Sequence, residues 1–293
     1  MKICIECHQQ LASDEWDCPN CGKSPGIRSG FCSFLVHTPQ MYESFDSNYF
    51  PELYRLEKNN FWFQYRNRLI LWAMETNFPC MSNVLEIGCG TGFVLSEIRS
   101  RYPHLKSYGS DLYLEGLKFA RARVSDAVFY QMDACRMPFE DEFDLILALD
   151  ILEHIQDDGK ALDEIYRSLK TGGGLIVTVP QHRWLWSRQD EKAFHARRYA
   201  KQELMQKLSD SGFLLVYATS FITLLLPVMI LSRLYAQLAL SRQKEYDPLR
   251  ELRMSPALSR ILGLVCAAEE HIVKTGIFLP VGGSLLCIAR KGE

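Results

Sequence analysis

Four cysteines near the start of the chain stand at spacings that suit metal binding. Cys4 and Cys7 form one C-x-x-C pair and Cys18 and Cys21 a second, giving the pattern C-x2-C-x10-C-x2-C, with Pro19 and Gly22 shaping the second turn. Two thiolates on a tight turn grip one face of a tetrahedral ion, and a second such turn closes the other face, leaving no open position for a substrate. The expectation is a structural Zn2+ site whose binding energy substitutes for a core too small to form alone. A redox dithiol pair is the competing reading, but no βαβ pattern surrounds these residues. The remaining cysteines sit in apolar or loop contexts and are assigned no chemistry.

A second group of residues suits a nucleoside. The apolar run Val84 to Ile87 leads straight into Gly88-Cys89-Gly90-Thr91-Gly92 and an amphipathic helix that extends to about Arg101. Glycines let the chain turn sharply and let a ligand approach the main chain, while the helix start offers unpaired N–H groups. A pyrophosphate-binding G-x-G-x-x-G would need glycine at position 93 or 95, where Phe93 and Leu95 stand. Asp111 closes a second strand near Lys106 to Gly109, where a carboxylate can accept hydrogen bonds from both hydroxyls of a ribose. A third strand, Val128 to Gln131, ends before Asp133-Ala134, where a second acidic side chain can receive an adenine amino group. The competing reading is that Glu86 and Asp133 only cap local structure.

The elements that must position these groups follow in order. Phe143 to Leu149 reads as a fourth strand, Ile151-Leu152-Glu153-His154-Ile155 comes next, and Leu169 to Gly174 turns into a fifth strand, Leu175 to Pro180. With the glycine loop, Asp111 and Met132-Asp133-Ala134, this set resembles the class I S-adenosylmethionine-dependent methyltransferases of small-molecule type. The resemblance spans about residues 60 to 220 and a last strand near Ser284 to Arg290. It implies a doubly wound, Rossmann-like seven-stranded α/β sheet with an antiparallel edge strand. It further implies that Gly88, Cys89, Gly90 and Gly92, supported by Glu86, line the methionine half of the cofactor. Asp111 and Leu112 would hold the ribose, Asp133 and Ala134 the adenine, and Asp150 would stand beside the reacting methyl. The four cysteines similarly resemble zinc-ribbon knuckles, appended at the N-terminus.

Methyl transfer is an in-line displacement, so the protein aligns donor and acceptor and, where needed, removes a proton. His154, just after the fourth strand, is a candidate base, with Glu153 beside it; capping a helix is the plainer role for both. The segment 184–199 is dense in aromatic and ionisable residues, and His195 and Tyr199 are candidates to deprotonate or orient the acceptor, unless the segment is a solvated basic turn. Phe61-Trp62-Phe63 and Arg66 begin a helix over residues 61 to 78 that resembles the lids of related small-molecule enzymes, where Arg66 would pair with the donor's carboxylate. An ordinary helix packed on the sheet is the alternative.

The expected organisation is a zinc-ribbon-like module at 1–30, a linker with lid helices at 31–80 and a cofactor-binding core at 81–220. An apolar helical insertion at 221–282 and a final core strand at 283–293 complete it. Residues 213–232 carry no charge, which meets the length of a membrane span, but the first part serves better as strand six and Pro227 interrupts the rest. The helices expected at 224–240 and 258–272, with a polar linker at 241–256, suit a roof over a greasy acceptor pocket, a contact with a membrane surface or a homodimer interface, as well as extra core. The 293 residues carry 33 basic against 35 acidic side chains, so no global field gathers polyanions, and the charged, cysteine-rich start lacks the apolar run of an export signal. The reading is a cytoplasmic, peripherally membrane-associated enzyme acting on a small-molecule or lipid-like acceptor, with nucleic acid disfavoured. Two alternatives stand beside it. Ribosomal-RNA methyltransferases also join zinc fingers to this fold, but Leu149-Asp150-Ile151-Leu152 replaces the aromatic-proline tetrapeptide of base amino-group methylation, and the insertion is apolar where RNA would want lysines. A non-catalytic cofactor-binding adaptor is the other.

Overall fold

A computed structural model describes residues 1–12, 15–35, 45–240, 249 and 252–292. Its centre is a mixed sheet that begins with three parallel strands, β3 (Asn83–Ile87), β4 (Lys106–Asp111) and β5 (Val128–Gln131). The chain then crosses to the other side of β3, where β6 (Phe143–Leu149) and β7 (Leu169–Pro180) continue in parallel. β8 (Phe213–Phe221) and β9 (Ser284–Lys291) finish that edge as an antiparallel pair, with β9 inserted between β7 and β8. The change of direction between β3 and β6 opens a crevice at their carboxyl ends, where doubly wound sheets bind ligands.

Among the described residues the sheet has nine strands rather than the expected seven. β1 (Gly26–Arg28) and β2 (Phe31–Ser33) form a hairpin, and β2 pairs in parallel with β5. The linker expected from residue 31 onward therefore begins inside the sheet. The reason lies in the exposed edge of β5: a strand edge with unpaired N–H and C=O groups is stabilised by pairing, and the segment after the cysteines provides the partner. The cysteine-rich module also docks on this edge. Ile3 N donates to Pro138 O at 3.0 Å, and Trp16 packs edge-on against Phe34, Tyr130 and Phe139.

Helices cover both faces. One face receives α5 (Asp158–Ser168) and α7 (Lys201–Asp210), whose Leu162, Ile165, Leu204 and Leu208 join Ile146, Leu175 and Val177 in one buried cluster. The other receives α2 (Phe61–Asn77), α3 (Phe93–Arg101) and α9 (Pro256–Lys274), through Leu69, Ile98 and Val273 against Val84, Leu145 and Ile176. A short α1 (Phe50–Leu56) and α4 (Leu114–Arg123) flank the crevice. Between β8 and β9 the insertion forms α8 (Leu226–Leu240) and α9, close to the expected ranges. The uncharged stretch 213–232 is split between β8 and α8, and among the described residues no helix is long and apolar enough to cross a membrane. The expected polar linker 241–256 lies largely outside the described residues.

α9 is held to α2 by a buried acid. Glu269, 1% exposed, accepts from Tyr65 Oη at 2.9 Å and from Leu224 N at 2.7 Å. Each contact satisfies a group that would be costly to bury alone. The same carboxylate thus ties the insertion's first turn to the helix that lies over the crevice.

Candidate functional site

The turn after β3 is shaped by backbone constraints. Gly88 and Gly92 have φ of +65° and +71°, a region that side chains with a Cβ enter only with strain. A Cβ on Gly92 would lie 2.9 Å from Ala120 Cα, and one on Gly88 would lie 2.7 Å from Ile151 Cδ1. Both positions need glycine for conformation and for space. Gly90 N donates to Asp111 Oδ2 at 2.9 Å, and Tyr113 N donates to Oδ1 at 2.9 Å, so Asp111 couples the first two strand ends. Burial raises the Asp111 carboxyl to about 6 against these two N–H donors, and each oxygen retains a lone pair for a further donor.

Gly88, Gly90, Asp111 and Tyr113 line a cavity of about 340 Å³, together with Glu86, Cys89, Leu112, Asp133 and Ala134. Gly92, expected among the lining residues, instead packs against Ala120 of α4 and shapes the turn. Phe45, Tyr49 and Phe50 add an aromatic wall from the N-terminal side. Glu86 is 3% exposed, its Oε2 has no hydrogen-bond partner, and burial raises its carboxyl to about 8. An orphaned acid in the floor of a cavity is suited to a ligand that brings a donor or a positive charge. Asp133 also caps its own turn, accepting from Cys135 N at 2.8 Å.

A second cavity, of about 690 Å³, adjoins the first. Trp62, Phe63, Asp150, His154 and His195 line both. Its far side is α8 and α9, through Val228, Met229, Leu258 and Leu262, so the insertion roofs a largely apolar chamber. Asp150 stands at the junction with a left-handed φ of +52°, and its Oδ2 accepts from Arg66 Nη1 at 2.6 Å and from Thr178 Oγ1 at 3.1 Å. Backbone strain of this kind persists only where surrounding contacts overdetermine it. Arg66 therefore engages Asp150, with its guanidinium over the Trp62 ring at 4.8 Å. It lines the smaller cavity, as expected, but with an internal acid already on one nitrogen.

His154 and His195 meet at the same junction, ring centroids 4.7 Å apart and nearly perpendicular. The segment carrying His195 is stapled to the turn carrying Glu153 and His154, because Ala196 N donates to Glu153 O at 2.7 Å. Asp190, a residue the sequence did not single out, accepts from His195 Nδ1 at 2.9 Å and Arg198 Nε at 2.7 Å. The side-chain hydrogen bond from His195 and the charge of Arg198 overcome burial and hold the Asp190 carboxyl far below its usual range. Only the Ser187-x-x-Asp190 spacing of a capping box signalled it, and that signal concerns helix starts rather than chemistry.

Tyr199 corrects the sequence reading. Its ring is fully buried and lines neither cavity, and its hydroxyl donates to Asp158 Oδ2 at 2.6 Å, with Leu152 O at 3.2 Å. Burial and the neighbouring Asp158 push the phenol well above its ordinary range. It joins the 190s segment to α5 and has no access to an acceptor.

At the other end of the molecule the four thiols converge. Cys4 Sγ lies 3.6 Å from Cys21 Sγ and Cys7 Sγ 3.5 Å from Cys18 Sγ, with all four within 4.8 Å of one another. Sulfurs around a tetrahedral zinc with bonds near 2.3 Å stand ~3.8 Å apart, so this donor set fits that ion.

The comparisons agree with this geometry. Residues 85–177, from β3 through β7, match the family described as Methyltransferase domain. The demethylmenaquinone methyltransferase of Thermotoga maritima is 31% identical over 115 residues, covering 39% of this chain and 49% of that protein. Among solved structures, a SAM-dependent methyltransferase of Thermotoga maritima aligns over 87% of this chain and 100% of its own, at 20% identity and a TM-score of 0.53. The phosphoethanolamine N-methyltransferase 2 of Haemonchus contortus, in complex with S-adenosyl-L-methionine, aligns over 78% of this chain and 52% of its own, at 20% identity and a TM-score of 0.53. Over residues 85–177 the chain thus matches a methyltransferase domain, and it shares its fold with S-adenosylmethionine-dependent methyltransferases. It spans about half the length of that curated relative, and 6% and 61% of two others.

Proposed function

We propose that the chain transfers a methyl group from S-adenosylmethionine to a small, largely apolar or lipid-like acceptor held under α8 and α9. The observation that carries this reading is the junction of the two cavities at Asp150, His154 and His195, which sets a nucleoside-sized chamber against a larger apolar one. S-adenosylmethionine supplies a methyl group on a positively charged sulfur. Gly88, Cys89 and Gly90 let its methionine half approach the main chain, with Gly92 holding the turn in shape, Asp111 and Leu112 hold the ribose, and Asp133 with Ala134 contacts the adenine. Glu86, Asp150 and Arg66 provide the polar surroundings of the amino-acid end. His154 and His195, both partly buried at the junction, are placed to take a proton from the acceptor as it reacts.

Zn2+ at Cys4, Cys7, Cys18 and Cys21 would close the N-terminal knuckles and keep the hairpin on the sheet edge, a structural role. The stripe Leu224, Val228, Leu231 and Leu234 on and before α8 is at least 46% exposed at each position. Such a surface supports contact of 221–275 with a membrane surface or a second copy rather than with RNA.

The test is incorporation of labelled methyl. Purified protein with labelled donor is offered extracted lipids, small metabolites and RNA separately, and label is expected in the lipid or small-molecule fraction. Label confined to RNA would reverse the acceptor class, and an Asp111→Ala variant that binds donor like wild type in calorimetry would overturn the cofactor site. Elemental analysis is expected to find zinc bound by the four-cysteine module; its absence from fresh protein would reject that assignment.

A further inference from the structure

Glu153 is 1% exposed, yet among the described residues its Oε2 accepts no hydrogen bond. The two guanidinium groups that act on it are committed elsewhere: Arg66 to Asp150, and Arg198 to Asp190 and the Gln181 carbonyl. Burying that oxygen without a partner is costly, and an ion or ligand that engages it would offset the cost. What faces it is a pair of imidazoles. One ligand atom each from Glu153, His154 and His195 lies within 4.8 Å of the other two.

We propose that Glu153, His154 and His195 bind a divalent transition-metal ion at the junction of the two cavities, with its open coordination positions toward the acceptor chamber. Donors at adjacent positions of one ion with bonds near 2.1 Å stand ~3.0–3.4 Å apart, so side-chain rotations that draw these three atoms together close the set onto a metal. Two histidines and one carboxylate select a borderline ion such as zinc, cobalt, iron or manganese over magnesium or calcium, which prefer oxygen. Asp190 supplies the outer contact that such a site requires. By accepting from His195 Nδ1 it fixes the tautomer and leaves Nε2 as the ligand. The Ala196 to Glu153 backbone hydrogen bond holds the two ligand-bearing segments in register. All three ligands line the larger chamber, so an acceptor bearing an oxygen or nitrogen lone pair can complete the coordination sphere, and the ion, by acidifying that group, then replaces the two imidazoles as the means of deprotonation. That role toward the acceptor rests on the methyltransferase reading; binding of the ion does not.

The experiment titrates the full chain, as purified with its cysteine module loaded, with Co2+ alone. Visible ligand-field bands of nitrogen and oxygen coordination are followed separately from thiolate charge-transfer bands. One Co2+ per chain is expected with nitrogen–oxygen bands, with affinity at least 100-fold weaker in His195→Ala and Glu153→Gln, and 10- to 100-fold weaker in Asp190→Asn. Donor binding by calorimetry is measured on every variant, both as a check of folding and because it reports on the cofactor reading independently. Absence of nitrogen–oxygen bands in wild type, or equal Co2+ affinity in variants that still bind donor, overturns the proposal. Should His195→Ala fail to fold, His154→Gln provides the same comparison.

Discussion

The two walls of the crevice are built by different means. The cofactor-side wall comes from three consecutive strand ends within 86–134, where Gly88, Gly92 and Asp111 are fixed by local backbone and by hydrogen bonds to the adjoining turn. The acceptor-side wall gathers Phe61, Glu153, His195, Met229 and Leu262 from segments spread over most of the chain. A wall made of neighbouring turns tolerates change elsewhere. One assembled from distant segments depends on every contact that docks them, and it is the wall free to differ between enzymes that share one cofactor.

The largest break in that comparison should come from Gly92→Ala. Left-handed strain and a 2.9 Å approach to the α4 backbone together cost roughly 2–5 kcal/mol, read by urea unfolding, and donor affinity should fall with them. A neutral result would show that the turn is more pliable than its packing implies. Next is Arg66→Ala, which leaves Asp150 without its ion-pair partner at the junction. With the two side chains 10% and 19% exposed, a loss of roughly 2–3 kcal/mol is expected, together with lower turnover. Retained stability in thermal unfolding would mean that Thr178 alone satisfies that acid.

The pH dependence sharpens the cofactor wall specifically. Glu86 is raised from 4.5 to about 8 by burial, so the native state holds a proton that the unfolded state releases, and stability falls as pH rises across that window. Asp111, raised from 3.8 to about 6, acts in the same direction over a lower window. Glu86→Gln should remove a slope of up to about 1.4 kcal/mol per pH unit between its unfolded and folded values, from 4.5 to about 8, leaving below pH 6 only the contribution of Asp111. Parallel profiles for wild type and variant between pH 6 and 8 would contradict this. The smallest effect belongs to the roof: Met229→Ala should raise KM for the acceptor about fivefold, or ~1 kcal/mol, with donor affinity unchanged. A change in donor affinity would show that the two walls are not separable.

Much of the framework could be read without coordinates. Val128–Gln131 and Phe143–Leu149 have the anticipated bounds, and α2, α8 and α9 lie within a few residues of theirs. Apolar runs and helical periodicity report burial directly, so such elements are legible. The β1–β2 hairpin was not, because a three-residue strand has no periodicity and pairs only when another edge is offered. Tyr199 was misjudged for a related reason: an aromatic hydroxyl beside two arginines looks reactive in sequence, whereas burial and Asp158 decide that it is structural. Asp190 was overlooked because its partners, five and eight residues along, meet it only through a turn.

By itself the sequence determined what depends on near neighbours: the cysteine spacing, the glycine turn with its acid at the next strand end, and the order of strands and helices. Tertiary structure decided which distant side chains share one space, closing an apolar roof over the crevice and bringing Glu153, His154 and His195 within reach of one another. The physical reason is range. Backbone conformation and periodicity act over a few residues and leave a trace in composition, while a site at a crevice exists only after long-range packing has buried its walls.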